Sequence, residues 1–278
     1  MAEVISSAAN PLVKRVRALG DRKRRQRESA FVVQGIQPVW QAVEAGAEIE
    51  TLIVAPDLLR HAGATTMVAA QEDAGIRVAR LSAELFGRIA DRDGPSGLAA
   101  IVRRTPSALG DLAVGADSLF AALYHAGNPG NIGTIIRTAS AVGAGGVILI
   151  GPSADPWDPV AVKASMGAIF TVPVASAASA ADFQDWAAAG GVTVAATSAK
   201  GSVSCWEAAL VPPLAVLLGS EGAGLPDDLL AAANLRVAIP MTGTAESLNL
   251  AVAAGVLLYE IRRRTGLAPT GRPGHWGE

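Results

Sequence analysis

Short apolar runs recur along the chain, and the segments between them repeat apolar residues every three or four positions. In the first hundred residues, "AFVVQG" (30–35), "IETLIVA" (49–55), "GIRVAR" (75–80) and "GLAAIVRR" (97–104) read as strands alternating with helix-length segments. That pattern predicts a small α/β domain over 1–104. The stretch "TPSALGDLAVGADS" (105–118) breaks both periods with Pro, Gly and Ser and predicts a linker. From 119 to 278 the runs "SLFAALY", "GVILI", "FTVPV", "GVTVAAT", "LAVLLG" and "LRVAIP" alternate with helices starting near Asn131, at 159–166, at 180–189 and at 247–264. Little polar alternation interrupts these strands, which predicts a parallel sheet covered on both faces, an α/β fold. The last helix places Leu248, Ala251, Val252, Gly255, Leu258 and Tyr259 on one stripe and adds Val256, Leu257 and Ile261 beyond it, more apolar surface than one sheet face requires. It ends in three arginines, as the helix dipole favours.

Composition narrows the class. Half of the 278 residues are hydrophobic and 17% are charged, which describes a globular chain long enough for two cores. The N-terminus has no apolar signal core and no run approaches the roughly 20 residues that cross a bilayer, so a soluble, cytoplasmic protein without a membrane partner is expected. Cys205 is the only cysteine, and His61, His125 and His275 are far apart, which excludes an intrachain disulfide framework and argues against a metal site. The net charge of −2 hides an asymmetry: residues 1–106 carry 15 basic and 12 acidic side chains, the remainder 8 and 13. Eight of the fourteen residues over 14–27 are basic, namely Lys14, Arg15, Arg17, Arg22, Lys23, Arg24, Arg25 and Arg27. Such a run suits a solvated face or a polyanion. Without interleaved aromatics it would position a nucleic acid by its phosphates and leave the bases unread.

The stretch "HAGNPGNIGTIIRTASAVGAGGVILI" (125–150) joins a strand, a glycine- and asparagine-rich turn and a helix. Ile132, Ile135, Ile136, Ala139 and Val142 form an apolar stripe, which packing explains. Packing does not explain the turn or Arg137. Gly133 lies four residues before Arg137, so the arginine is expected to pass over a bare glycine towards the strand ends, where open α/β sheets bind ligands. "GNPGNIG" has the wrong spacing for a dinucleotide fingerprint, and no acidic residue tips the next strand. A nucleotide P-loop fails for want of its Gly-Lys-Ser/Thr ending. His125, at a strand end, fits a turn or packing role better than a base. Two later loops also put small residues after strands, "LLGSEGAGLP" (217–226) and "IPMTGTAESLNL" (239–250). They place Glu221 and Glu246 in apolar surroundings, and Ser247 suits a helix N-cap.

Together "NPGNIGTIIRTASAVG", "LLGSEGAGLP" and "IPMTGTAESLNLAVAAG" resemble the three ordered motifs of the SpoU (TrmH-type) class of SPOUT RNA methyltransferases, over residues 120–262. The first domain resembles that class's ribosomal-protein-like RNA-binding domain more loosely, through "FVVQGIQPVWQAVEAG". Asn128 stands where many members have Asp, and Gln34 where the small domain often has Glu.

The resemblance implies a trefoil knot in the C-terminal SPOUT domain and transfer of a methyl group from S-adenosylmethionine to a ribose 2′-hydroxyl of structured RNA, without a metal. It implies cofactor contacts at Leu218, Gly219, Glu221, Gly222, Ile239, Met241, Ser247 and Leu248. Arg137 is then the base, or the group that holds the adjoining phosphate and stabilises the developing alkoxide, since arginine stays protonated in most surroundings. Asn131, Ser247 and Asn249 match positions that orient this group and the ribose, and Glu221 borders the site. A homodimer through the last helix is implied as well. The extra domain favours 23S rRNA as substrate, a class in which some members confer antibiotic resistance. The alternatives are a tRNA methyltransferase, a non-catalytic RNA-binding protein of the same fold and, from a different class, a nicotinamide enzyme.

Overall fold

The computed structural model of the chain describes residues 4–90, 94–198 and 203–266. His275 lies outside the described residues. The N-terminal region runs β1 (Val4–Ile5), α1 (Pro11–Ala18), α2 (Arg22–Glu28), β2 (Ala30–Gln34), α3 (Ile36–Glu44), β3 (Ile49–Val54), α4 (Ala62–Asp73), β4 (Val78–Leu81), α5 (Ala83–Gly87) and β5 (Leu98–Arg103). Its five strands form one sheet in the order β1-β4-β3-β5-β2. β1, β4 and β3 are parallel, whereas β5 runs antiparallel to β3 and β2. The four strands expected from the apolar runs are all present. The two-residue β1 was too short to leave a periodic signal.

The second region comprises β6 (Ser107–Ala108), β7 (Leu119–Tyr124), α6 (Pro129–Ala141), β8 (Gly146–Ile150), α7 (Pro159–Ser165), β9 (Val174–Ala177), α8 (Ala180–Ala189), β10 (Thr193–Thr197), β11 (Val203–Ser204), β12 (Leu214–Leu218), α9 (Asp227–Ala232), β13 (Leu235–Ala238) and α10 (Leu250–Thr265). Its eight strands make one sheet, order β11-β13-β10-β12-β7-β8-β9-β6, and every pairing is parallel. Apolar side chains bury on both of its faces. Ile132, Ile135 and Ile136 of α6 with Leu257, Leu258 and Ile261 of α10 cover one; Phe183 of α8 and Leu229 of α9 cover the other. Double coverage explains why the strands lack polar alternation.

Several expectations need correction. The 105–118 stretch, read as a linker, contributes β6, which pairs with β9 at the sheet edge. Arg262 explains part of the close: it donates to the carbonyls of Val142 and Gly143, capping the end of α6, and to that of Asp117. "FTVPV" lies mostly before its strand, because 168–170 form a single 3₁₀ turn and β9 begins at Val174. α10 starts three residues after Ser247, and its N-cap is Asn249, whose side chain accepts from the N–H groups of Ala251 and Val252. An amide oxygen at that place does the capping that Ser247 was expected to do. The buried stripe of α10 is Leu250, Ala251, Ala254, Leu257, Leu258 and Ile261, while Val252, Val256 and Tyr259 are exposed. The surplus apolar surface of this helix therefore faces outward.

The two sheets meet through α7 and the segment before it. Trp157, Val162, Ile169 and Phe170 join the core of the small sheet beside Phe31 and Val33. β8 and β9 follow β7 to one side of it, after which the chain crosses to β10 on the other. The strand order thus reverses between β7 and β12, where ligands of such sheets bind, beyond the carboxyl ends of the strands.

Candidate active site

The site is built where β7 and β12 end. After Tyr124 the chain turns at His125, whose φ of 51° lies in the left-handed region, and reaches Asn128, the N-cap of α6. The Asn128 side-chain oxygen accepts from the N–H groups of Gly130 (2.8 Å) and Asn131 (3.2 Å). Asparagine thus supplies the capping acceptor that Asp would supply, without its charge, and Pro129 fills the first helical position, which needs no donor.

The cap delivers Asn131 to the middle of a hydrogen-bonded chain. Asn131 Nδ2 donates to Glu221 Oε1 at 3.0 Å, and Asn249 Nδ2 donates to Asn131 Oδ1 at 3.1 Å. Gly127 N–H donates to the other Glu221 oxygen at 3.3 Å. Residues 90 and 118 positions from Asn131 are thereby joined to it, one from each later loop. Burial pushes the Glu221 carboxyl up, but the Asn131 amide and the backbone N–H groups of Glu221, Gly127 and Asn128 together outweigh it and hold the group below the usual carboxylate range.

Beside this chain opens a cleft of about 610 Å³ between the loop after β12 and the one after β13. Leu218, Gly219, Glu221, Gly222, Ile239, Met241, Ser247 and Leu248 all line it, as do Glu246 and Asn249. Gly219 is forced by a backbone crossing: a Cβ there would sit 2.1 Å from the Gly224 carbonyl carbon and 2.4 Å from the Leu225 nitrogen. The loop is pinned by reciprocal Ser220 and Gly224 backbone hydrogen bonds, with Gly224 at φ +68°. At Gly222 a Cβ would meet nothing within 4 Å. A cleft of this size, with apolar walls, exposed loop backbone and two carboxylates, fits a drug-sized cationic ligand such as S-adenosylmethionine.

Arg137 stands apart from the cleft. It is exposed on α6 and makes no hydrogen bond or ion pair with the described residues. Gly133 does not clear its path, contrary to expectation. A Cβ at Gly133 would lie 2.2 Å from the Ala161 carbonyl oxygen, so this glycine allows α6 to press against α7. Ser247 is exposed at the cleft rim, and among the described residues no hydrogen bond joins it to the Asn131 chain.

The basic stretch divides by burial. Lys14, Arg17, Arg22, Lys23 and Arg27 are exposed. Arg25, expected among the RNA-binding residues, is instead 1% exposed. It pairs with Asp155 (2.9 Å) and Asp158 (3.2 Å) and donates to the carbonyls of Leu19 and Gly20, so its guanidinium is spent inside the protein. Arg15 bridges Glu28 and Glu50, and Arg24 pairs with Glu28. The sequence carried no sign of this, because the two aspartates lie 130 and 133 positions away. Among the described residues there is no cluster of His, Cys, Asp and Glu able to hold a metal, and no helix is long and apolar enough to cross a membrane.

Comparison with known proteins shows the family. Residues 118–259 match the model of the SpoU rRNA Methylase family, and residues 10–100 match the MRM3-like substrate binding domain. The chain is 33% identical over 260 residues to the 23S rRNA (uridine(2479)-2′-O)-methyltransferase of Streptomyces viridochromogenes, covering 88% of this chain and 87% of that one. It is 29% identical to the 23S rRNA (guanosine(2553)-2′-O)-methyltransferase RlmP of Bacillus subtilis, covering 93% and 98%. The crystal structure of an AdoMet-bound rRNA methyltransferase from Sinorhizobium meliloti superimposes with a TM-score of 0.86 at 37% identity, over 94% of this chain and 98% of that one.

Proposed function

The chain belongs to the SpoU rRNA methylase family and is an S-adenosylmethionine-dependent RNA 2′-O-ribose methyltransferase, and we propose that its substrate is 23S ribosomal RNA. The observation that carries the site assignment is the hydrogen-bonded chain Asn249–Asn131–Glu221, which ties all three motifs together at the edge of one cleft. The names of the two relatives, and their match across the N-terminal region as well as the SpoU domain, support a ribosomal over a transfer RNA substrate. We place the substrate-binding domain at 1–104 and the methyltransferase domain at 119–278, joined by the 105–118 segment whose β6 adds an edge strand to the latter's sheet, with the C-terminal part knotted as a trefoil.

On this reading Leu218, Gly219, Glu221, Gly222, Ile239, Met241, Ser247 and Leu248 hold the cofactor. When bound, S-adenosylmethionine supplies an electrophilic methyl group on a sulfonium centre. The protein's own part is orientation and charge. Asn131 is fixed by Glu221 and Asn249 and orients the ribose together with Ser247. Arg137, uncommitted to any described carboxylate, takes the phosphate beside the target nucleotide, and its guanidinium stabilises negative charge growing on the 2′-oxygen. Lys14, Arg17, Arg22, Lys23 and Arg27 hold more distant phosphates in a sequence-independent manner.

The exposed stripe Val252, Val256 and Tyr259 on α10 supports assembly as a homodimer, and light scattering at micromolar concentration tests it by mass. The decisive experiment on function is methyl transfer from labelled S-adenosylmethionine to unmodified 23S rRNA transcript, with the 2′-O-methylated nucleotide mapped. Incorporation at one site is expected. Incorporation into tRNA alone would move the substrate, and cofactor binding without transfer to any RNA would leave a non-catalytic binder. A ribosomal substrate supports a cytoplasmic location.

A further inference from the structure

We propose that Tyr124 and His125 form a stacking platform for an RNA base next to the methylated nucleotide, an inference that rests on the reading of the chain as an RNA methyltransferase. The two rings lie face to face, with centroids 3.9 Å apart and planes 10° apart. Tyr124 is half-buried against the sheet and anchors the stack, while His125 is exposed above it. The stack thus presents an aromatic surface that the protein leaves in water.

Its seat is specific. His125 occupies the left-handed region at φ 51°, a conformation in which asparagine and glycine would serve a turn at least as well. What histidine adds is its ring. The ring is accommodated by Gly151, where a Cβ would collide with His125 Nε2 at 2.6 Å, and the backbone is fixed by its N–H to the Ile150 carbonyl at 3.0 Å. Gly151 itself lies in the left-handed region at φ +66°, so its own turn also favours glycine, but a turn at His125 would not need the tyrosine beneath it.

The platform stands between the two parts of the proposed RNA path. On one side, Gly127, two residues on, donates to Glu221 of the catalytic chain. On the other, Ala126 accepts from Ala154 N–H, and Ser153 beside it accepts from Arg22 of the basic helix α2. Phosphates held along α2 would bring a strand across this point before the ribose reaches Asn131. RNA recognised as single strands or loops is held by stacking of unpaired bases on aromatic side chains, a contact that is tolerant of base identity. The assigned role is therefore positioning of a flanking base, with no proton transfer by His125.

The test uses the full chain and an unmodified 23S rRNA transcript. His125→Asn keeps a residue suited to the left-handed turn and removes the ring; His125→Phe restores a ring without nitrogen atoms. The Asn variant should raise KM for RNA about tenfold with a smaller effect on kcat. S-adenosylmethionine affinity by calorimetry and the thermal midpoint should stay at their wild-type values, and the Phe variant should return most of the lost KM. Tyr124→Leu, which leaves the His125 backbone untouched, should move KM in the same direction. A wild-type KM in the Asn variant overturns the proposal, as does a Phe variant as poor as Asn, or a loss of cofactor affinity parallel to the loss of RNA binding. Failure of the wild-type protein to methylate any RNA would remove the functional reading itself, and the platform with it.

Discussion

Two arginine-bearing regions of the molecule invert what their local sequence suggests. Arg25 sits in a run of cations on α2 yet is buried, bonded to two aspartates and two carbonyls. Arg137 sits in an apolar helix yet is exposed and unbonded among the described residues. The difference lies in what arrives from elsewhere in the chain. Asp155 and Asp158 come to α2 when the small sheet packs against α7, and among the described residues no acidic side chain pairs with Arg137 on α6. A buried pair must be fully satisfied to offset its desolvation, whereas an uncommitted exposed guanidinium remains available to an anion from outside.

Substitutions can break this contrast, beginning with the largest effect. Arg25→Ala leaves Asp155 buried without its cationic partner, with only the Trp157 N–H still donating to it among the described residues, and should cost about 3–5 kcal/mol in denaturant unfolding, with a large fall in melting temperature. RNA binding per folded molecule should barely change. Arg137→Ala should do the opposite: methyl transfer falls by about 10²–10³-fold, while stability stays within about 0.5 kcal/mol and cofactor affinity is kept. Full methylation by that variant would remove Arg137 from the mechanism.

Glu221→Gln should weaken S-adenosylmethionine binding about tenfold by calorimetry, the scale of one charge-assisted hydrogen bond. The same variant has a pH signature. The folded-state Glu221 carboxyl is held below its ordinary value of 4.5, so its stabilising contribution is complete above that value and is lost as the pH falls through the folded-state value. Glu221→Gln should therefore flatten the acid side of the stability curve. A variant that titrates as steeply as wild type would place the coupling in another carboxylate. Smallest is the change at the exposed cations: Lys23→Gln with Arg27→Gln should lower the slope of log affinity against log salt by about two, leaving cofactor affinity unchanged. A set that included Arg25 would confuse unfolding with lost RNA contact.

Much of the fold was legible because strand runs and helix stripes are local. The double-faced parallel sheet followed from "GVILI" and "LAVLLG", and α8 occupies the helix read at 180–189, although its Ser179 cap emerged only in the structure. Short elements without a period, β1, β6, β11 and α9, left no such trace. At the site, the motifs marked the loops that line the cleft, but the role of Gly133 was misread because close approach to the Ala161 carbonyl depends on where α7 lies. The N-cap of α10 moved from Ser247 to Asn249 for a similar reason: Asn249 also bonds Asn131, and the two contacts together fix where the helix begins.

By itself the sequence determined the α/β class, the order of the elements and the three loops that carry chemistry, since each depends on residue period or turn composition within a few positions. Only the tertiary structure decided which arginine is a clamp and which is free, and which loop residues meet. Those outcomes depend on partners 90 to 133 positions away, and electrostatic pairing and close packing act through distance in space, which no local pattern encodes.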